Sequence, residues 1–145
     1  SELLHVKPRH KVLEIGTGSA YQAAVLSRLA ERVYSIEIVR SLGEQARGLL
    51  HQLGYRNVEV LIGNGYLGWP ANAPFDRIIL TAAPREVPQA LVDQLAAPGR
   101  LVAPVGTSGW SQDLIVIDKD AAGKTRRRKV LPVRFVPMVD KPNQP

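Results

Sequence analysis

The sequence predicts an α/β fold: a Rossmann-like, doubly wound, mostly parallel sheet with helices on both faces and a C-terminal antiparallel hairpin. Three observations predict it. Short β-rich runs alternate with helical patterns from Lys11 to Leu95, as in strands joined by crossover helices. The first run, KVLEI, passes directly into a glycine turn, GTGS, before a helix begins. Near the C-terminus two β-rich stretches are separated only by DAAGKTRRRK, too short for a crossover helix, so they should pair antiparallel.

Taken in order, Lys11 to Ile15 reads as a buried strand, apolar apart from Glu14. Tyr21 to Glu31 reads as a helix with apolar Ala24, Leu26, Leu29 and Ala30, and Val33 to Ile38 as a second strand. Leu42, Ala46, Leu49, Leu50 and Leu53 recur at helical spacing, with Gly54 as the stop. Val58 to Ile62 is a third strand, and Arg77 to Thr81 a fourth after the turn-like ANAPFD. Val87 to Leu95 makes a short helix, with Pro88 tolerated in its first turn. APGR then turns into Leu101 to Val105, and Leu114 to Asp118 with Val130 to Val139 form the hairpin. Residues 1–139 make one domain and 140–145 a loosely held tail.

Composition narrows the function. A chain of 145 residues with 45% hydrophobic and 22% charged residues suits one globular domain. No run approaches the roughly 18 apolar residues of a membrane span, and SELLHVKPRHK has no signal-peptide core. A cytoplasmic monomer is expected. Absence of cysteine excludes disulfides and thiolate catalysis. His5, His10 and His51 show no ligand spacing, and no metal is expected. The net charge of +6 and pI near 10 raise the question of nucleic acid. Five of the nineteen basic residues, however, lie in KTRRRK, leaving fourteen against thirteen acids elsewhere. That run suits a solvated loop or hairpin edge, where charge discourages aggregation. An acidic or RNA partner is the alternative.

The glycine turn carries the chemistry. A strand, a tight turn and a helix aim backbone N–H groups at a ligand at the carboxyl end of the sheet. Dinucleotide sites favour a small residue at the sixth position of G-x-G-x-x-G, yet that position here is Tyr21, and no Gly-Lys-Ser/Thr follows to make a phosphate loop. What remains, Glu14 to Ala20 as E-x-G-x-G-x-A, resembles the cofactor turn of class I methyltransferases that bind S-adenosylmethionine. Glu37, nineteen residues after Gly18 at the end of the second strand, can accept both ribose hydroxyls. Asn64 and Gly65, after the third strand, can read an adenine edge.

Over almost its whole length, from about Leu4 to Val139, the chain resembles the protein-L-isoaspartate O-methyltransferase family. The resemblance rests on VLEIGTGSAYQAAVLSRLA, GNGYLGWPANAPFDRIILTAAP, VPQALVDQLAAPGRLVAPVG and VRFVPM. It implies methyl transfer from S-adenosylmethionine to the free carboxylate of L-isoaspartyl residues in damaged proteins or peptides. It implies further that Gly16, Thr17, Gly18, Ser19 and Ala20 line the methionine end of the cofactor, Glu37 the ribose, and Asn64 with Gly65 the adenine. Thr81, Ala82 and Ala83 would border the transfer cleft. Val133, Phe135, Val136 and Pro137 would receive an extended peptide, with backbone groups contributing much of the binding. Trp69 reads as a loop anchor, and Trp110 as a loop residue with stacking potential.

Three departures from the family stand out. Ala20 replaces the usual Gly, and Asn64 the usual Asp. The family's front segment, which carries a catalytic-site hydroxyl, has no counterpart in the ten residues before the first strand, so no catalytic residue is assigned. A cofactor-binding remnant, or a methyltransferase for RNA or a small metabolite, are the competing expectations.

Overall fold

The computed structural model describes residues 2–106 and 111–142. Seven strands form one sheet in the order β3-β2-β1-β4-β5-β6-β7. They are β1 (Lys11–Ile15), β2 (Arg32–Glu37), β3 (Val58–Ile62), β4 (Phe75–Leu80), β5 (Leu95–Val105), β6 (Gln112–Lys119) and β7 (Thr125–Val133). The first five run parallel, and β6 and β7 close the sheet antiparallel. Because the chain winds outward from β1 to β3 and then returns to start β4, the carboxyl ends of β1 and β4 flank the point where strand order reverses. Open α/β sheets hold their ligands there.

Alternation along each strand feeds two layers. Leu13 and Ile15 join Tyr34, Ile36, Phe75, Ile78 and Leu101 on the face covered by α3 (Gln89–Asp93), whose Leu91 is fully buried. Val12 and Val33 face the other way, against Leu26 and Ala30 near α1 (Tyr21–Leu29). Ala23, Ala46, Leu50 and Val60 tie α1 to α2 (Arg40–Gln52) and β3. Helices thus cover both faces, as expected.

The helical faces differ from expectation. Leu29, Leu42, Leu49 and Leu53 are exposed. The expected Leu26, Ala46 and Leu50 are buried, and Ala23, Ser27 and Gly43 join them in place of the exposed leucines. Close approach explains the preference for small residues: a Cβ on Gly43 would come within 2.7 Å of Ile62. The leucines flank the contact line and do not fill it.

Strand limits also shift. APGR is no turn, since β5 already pairs at Leu95 with Phe75 and resumes at Arg100 with Arg77 after a change of register. Pro88 caps α3 from outside its first turn. The basic run lies within β7, which ends at Val133 and not Val139, with Arg126, Arg127, Arg128 and Lys129 opposite Asp118, Ile117, Val116 and Ile115. Ladder hydrogen bonds are indifferent to side-chain charge, and an edge strand leaves its side chains in water. The connection shrinks to a turn in which Asp120 Oδ1 accepts the amides of Ala122 and Lys124, both at 2.9 Å.

Ala20, which precedes α1, has φ 73° with no side-chain cap, and its methyl group is buried. Left-handed backbone costs an alanine about 1–2 kcal/mol. Ala20→Gly would relieve that cost but lose a buried methyl at about 0.8 kcal/mol and free the unfolded chain by about 0.4–1 kcal/mol. The net change in unfolding free energy, measured in urea, is expected to stay under about 1 kcal/mol.

Candidate active site

Three strand ends meet at the switch point. Gly16 continues the β1–β2 ladder by donating to Ile36 O at 2.8 Å, and Gly63 donates to Glu37 O at 3.0 Å, joining the tip of β3 to that of β2. Gly16 has φ +101°, and a Cβ there would collide with the Thr81 hydroxyl. That hydroxyl lies 2.9 Å from both Ile15 O and Gly16 O. Thr81 therefore braces the turn from the end of β4.

Glu37 is the second brace. One carboxylate oxygen accepts Gly18 N at 2.9 Å, and the other accepts Val39 N at 3.0 Å. Each oxygen keeps a further lone pair for a ligand hydroxyl. Gly18 is exposed, with nothing within 4 Å of where its Cβ would project, so a ligand can lie directly on the backbone. Ser19 beside it is exposed, and Thr17 and Ala20 are buried. Asn64 accepts Tyr66 N at 2.9 Å through Oδ1, capping the short 3-10 turn Gly65–Leu67. Gly65 is buried against Ile15 and Met138, which leave no room for a Cβ.

Behind the turn lies a polar chain that sequence reasoning missed. Ser35 Oγ is 2.6 Å from Glu14 Oε1 and 2.6 Å from Thr17 Oγ1. Glu14 Oε2 is buried without a partner. Burial pushes the Glu14 carboxyl up to about 8, against the pull of the Ser35 bond and helped by the nearby charge of Glu37. At neutral pH it is an uncharged acid. The available signal was the serine between Tyr34 and Ile36, opposite an acid on the adjoining strand.

The expected substrate residues gather beside this turn. Ala83 bridges Pro137, donating to Val136 O at 2.7 Å and accepting Met138 N at 2.9 Å. Phe135, Val136 and Pro137 are exposed, and Val133 and Ala82 half-buried. Gln112, also missed, is buried and holds Phe135 by both backbone groups: Nε2 donates to Phe135 O at 2.9 Å, and Oε1 accepts Phe135 N at 2.6 Å. These bonds engage some of the backbone groups expected to receive a peptide. Trp69 packs edge-on against Tyr34 with centroids 5.2 Å apart, as a loop anchor does. Trp110 lies outside the described residues. An apolar groove of about 580 Å³ between α1 and α2 touches the turn only at Ser19 and Ala20.

Residues 1–143 match the family model described as Protein-L-isoaspartate(D-aspartate) O-methyltransferase. The chain belongs to this family. Among O-methyltransferase relatives, "Protein-L-isoaspartate O-methyltransferase 2" of Polaromonas sp. is 51% identical over 138 residues, covering 95% of this chain and 65% of that protein. "Protein-L-isoaspartate O-methyltransferase" of Gloeobacter violaceus is 50% identical over 145 residues, covering 99% of this chain and 70% of that protein. A solved protein-L-isoaspartate O-methyltransferase superposes with TM-score 0.86 at 32% identity, over 94% of this chain and 44% of that one. A Plasmodium falciparum protein of the same description, solved with S-adenosyl-L-homocysteine, shares the fold at TM-score 0.77 and 23% identity, over 93% of this chain and 68% of its own. The chain spans between 54% and 70% of the length of such curated O-methyltransferases.

Two outcomes follow for the buried groups. Unfolded, Glu14 titrates near 4.5; folded, near 8. The folded protein therefore holds a proton that the unfolded chain releases, and its stability falls as pH rises between those values. Glu14→Gln, which cannot ionise, is expected to melt above wild type at pH 8.5, the advantage shrinking toward pH 4.5, as thermal unfolding reads. Gln112→Leu is expected to cost about 1–3 kcal/mol by stripping Phe135 of two bonds, and to speed hydrogen exchange at the amides of Ala83 and Met138.

Proposed function

We propose that the chain transfers a methyl group from S-adenosylmethionine to the free carboxylate of L-isoaspartyl residues in damaged proteins or peptides. One observation carries the reading: in a member of this family, the turn Gly16–Ala20, Glu37 and the Asn64–Gly65 tip converge beside the bridged segments of Ala83 and Pro137. The residues fit the cofactor, because Gly18 opens onto free space and Glu37 keeps unused lone pairs. When bound, S-adenosylmethionine supplies an electrophilic methyl group on a sulfonium.

Gly16, Thr17, Gly18, Ser19 and Ala20 would receive the methionine portion, Glu37 the ribose hydroxyls, and Asn64 with Gly65 the adenine edge. An isoaspartyl carboxylate, with an ordinary pKa near 4, is ionised at neutral pH and needs no general base. The protein's contribution is alignment and the exclusion of water. Exposed Phe135, Val136 and Pro137, with Val133, Ala82 and Ala83 behind them, offer an apolar wall for an extended peptide. Thr81 acts at one remove, by holding the turn. The backbone amide nitrogen of the following residue attacks the methyl ester and expels methanol, closing a succinimide whose hydrolysis returns part of the chain to normal aspartyl linkage. This reading makes the protein a cytoplasmic monomer with no nucleic-acid partner. The excess of basic charge lies in β7 and its turn, and no helix among the described residues is long and apolar enough to cross a membrane.

The test is methyl transfer from labelled S-adenosylmethionine to an isoaspartyl peptide, its aspartyl counterpart and RNA, beside calorimetry with S-adenosylhomocysteine. Labelling of the isoaspartyl peptide alone is expected. Glu37→Leu should weaken S-adenosylhomocysteine at least about tenfold, or about 1.4 kcal/mol. Labelling of RNA in place of peptide, or binding without turnover, would overturn the assignment in favour of an RNA enzyme or a remnant.

A further inference from the structure

β7 is the last strand in the sheet order, and its outer edge has no partner among the described residues. Its first five residues, Thr125–Lys129, are all exposed. Arg126, Arg127 and Arg128 make no ion pair among the described residues. Arg127 and Arg128 stand opposite apolar Ile117 and Val116, and Arg126 opposite Asp118. Both oxygens of Asp118 are already held by Arg100, at 2.6 and 3.2 Å. Lys129 approaches Asp113 at 3.5 Å, with both side chains exposed. Charge of either sign protects an edge from aggregation. An unbroken run of one sign adds mutual repulsion, which a partner of opposite sign relieves. Strand alternation sends Arg126 and Arg128 to one face of the sheet, and Arg127 and Lys129 to the other.

The run also leads to the cleft. β7 is antiparallel to β6, which is antiparallel to β5, so Val133 ends at the same edge of the sheet as the cofactor turn. From there the chain passes exposed Arg134 to Phe135, held by Gln112, and to Pro137, bridged to Ala83. Lys129 precedes Val133 by four residues and Arg126 by seven, which is about 13–23 Å down the strand. An extended peptide leaving the cleft covers that distance in a similar number of residues. Pro132 has no amide proton, so the backbone open to a further strand is that of Thr125 to Leu131.

The charge and the open backbone together select the occupant. A second β7 would set one basic run against another, and like charges on facing strands destabilise the pair. A nucleic acid would answer the charge but not the row of unpaired N–H and C=O groups. An acidic peptide answers both, because its backbone continues the ladder and its alternate carboxylates fall beside the cations of each face. We propose that the open edge of β7 receives an acidic segment of the protein being methylated, so that preferred substrates carry a run of Asp or Glu several residues from the isoaspartyl site. The role rests on the methyl-transfer reading above. β7 and the Phe135–Pro137 wall then form one continuous track.

The test compares isoaspartyl peptides that carry a tract of glutamates with the same peptides carrying glutamines, at several separations and on either side of the isoaspartyl residue. At low salt the glutamate tract at its best separation is expected to lower KM at least tenfold with little change in kcat. Salt near about 1 M should remove most of that gain, because the cations are exposed. In Arg126→Gln/Arg127→Gln/Arg128→Gln the two KM values should become nearly equal. Two glutamate tracts N-methylated at alternate residues, in opposite phase, should differ for wild type, since only one phase blocks the ladder; this serves if the triple variant does not fold. Equal KM for glutamate and glutamine peptides at every separation, a preference kept by the triple variant, or identical behaviour of the two N-methylated tracts would overturn the docking alone. RNA bound through the three arginines, with no preference for glutamate, would assign the run to nucleic acid instead. No methylation of any isoaspartyl peptide would overturn both the docking and the methyl-transfer reading.

Discussion

Glu37 accepts the amide of Gly18 through one oxygen and that of Val39 through the other, and the geometry of the whole carboxyl edge depends on this arrangement. A glycine turn with alternating left-handed residues has little to hold it by itself. Here it is drawn toward β2 by a carboxylate and toward β4 by a threonine hydroxyl. Charge-assisted bonds of this type are stronger than neutral ones. They also place the start of α2 against the end of β1. The amide groups that a ligand would meet are thus positioned before it arrives.

This bracing works because the layers beneath approach closely. α1 and α2 meet the sheet through alanine, glycine and serine as well as leucine, which brings both helix starts near the strand tips. On the opposite face, Tyr34 packs edge to face against both Trp69 and Phe75, in the same cluster as Leu91 of the short α3. The two faces therefore differ in kind: one is thin and close-fitting, the other deep and aromatic. The turn lies above the boundary between them.

Much of this was legible in the residues. The parallel strands announce themselves through dense β-branched runs, and the turn, Glu37 and Asn64 fall at their ends because a ligand-binding α/β sheet concentrates polar residues there. Local pattern failed where tertiary placement decided. In α2 the expected Ala46 and Leu50 do face the core, but Leu42, Leu49 and Leu53 do not, because the backbone's closeness to Ile62 gave the remaining contact to Gly43. The basic run suited either a loop or a hairpin edge, and it lies on the edge, in the outermost strand. Ser35 and Gln112 carry meaning only through what stands opposite them, Glu14 across a ladder and Phe135 across a gap of twenty-three residues. A linear reading contains neither pairing.

Gln112 shows how the chain leaves its sheet. A primary amide has the same donor and acceptor as a peptide group, so this one side chain stands in for the neighbouring strand that Phe135 lacks. The cleft's outer lip is consequently fastened at separate points, by Gln112 at Phe135 and by Ala83 at Val136 and Met138, instead of along a continuous ladder. Residues on either side of that fastening can change in sequence while the sheet behind them stays intact, so the preference for what docks there can diverge between relatives without rebuilding the fold.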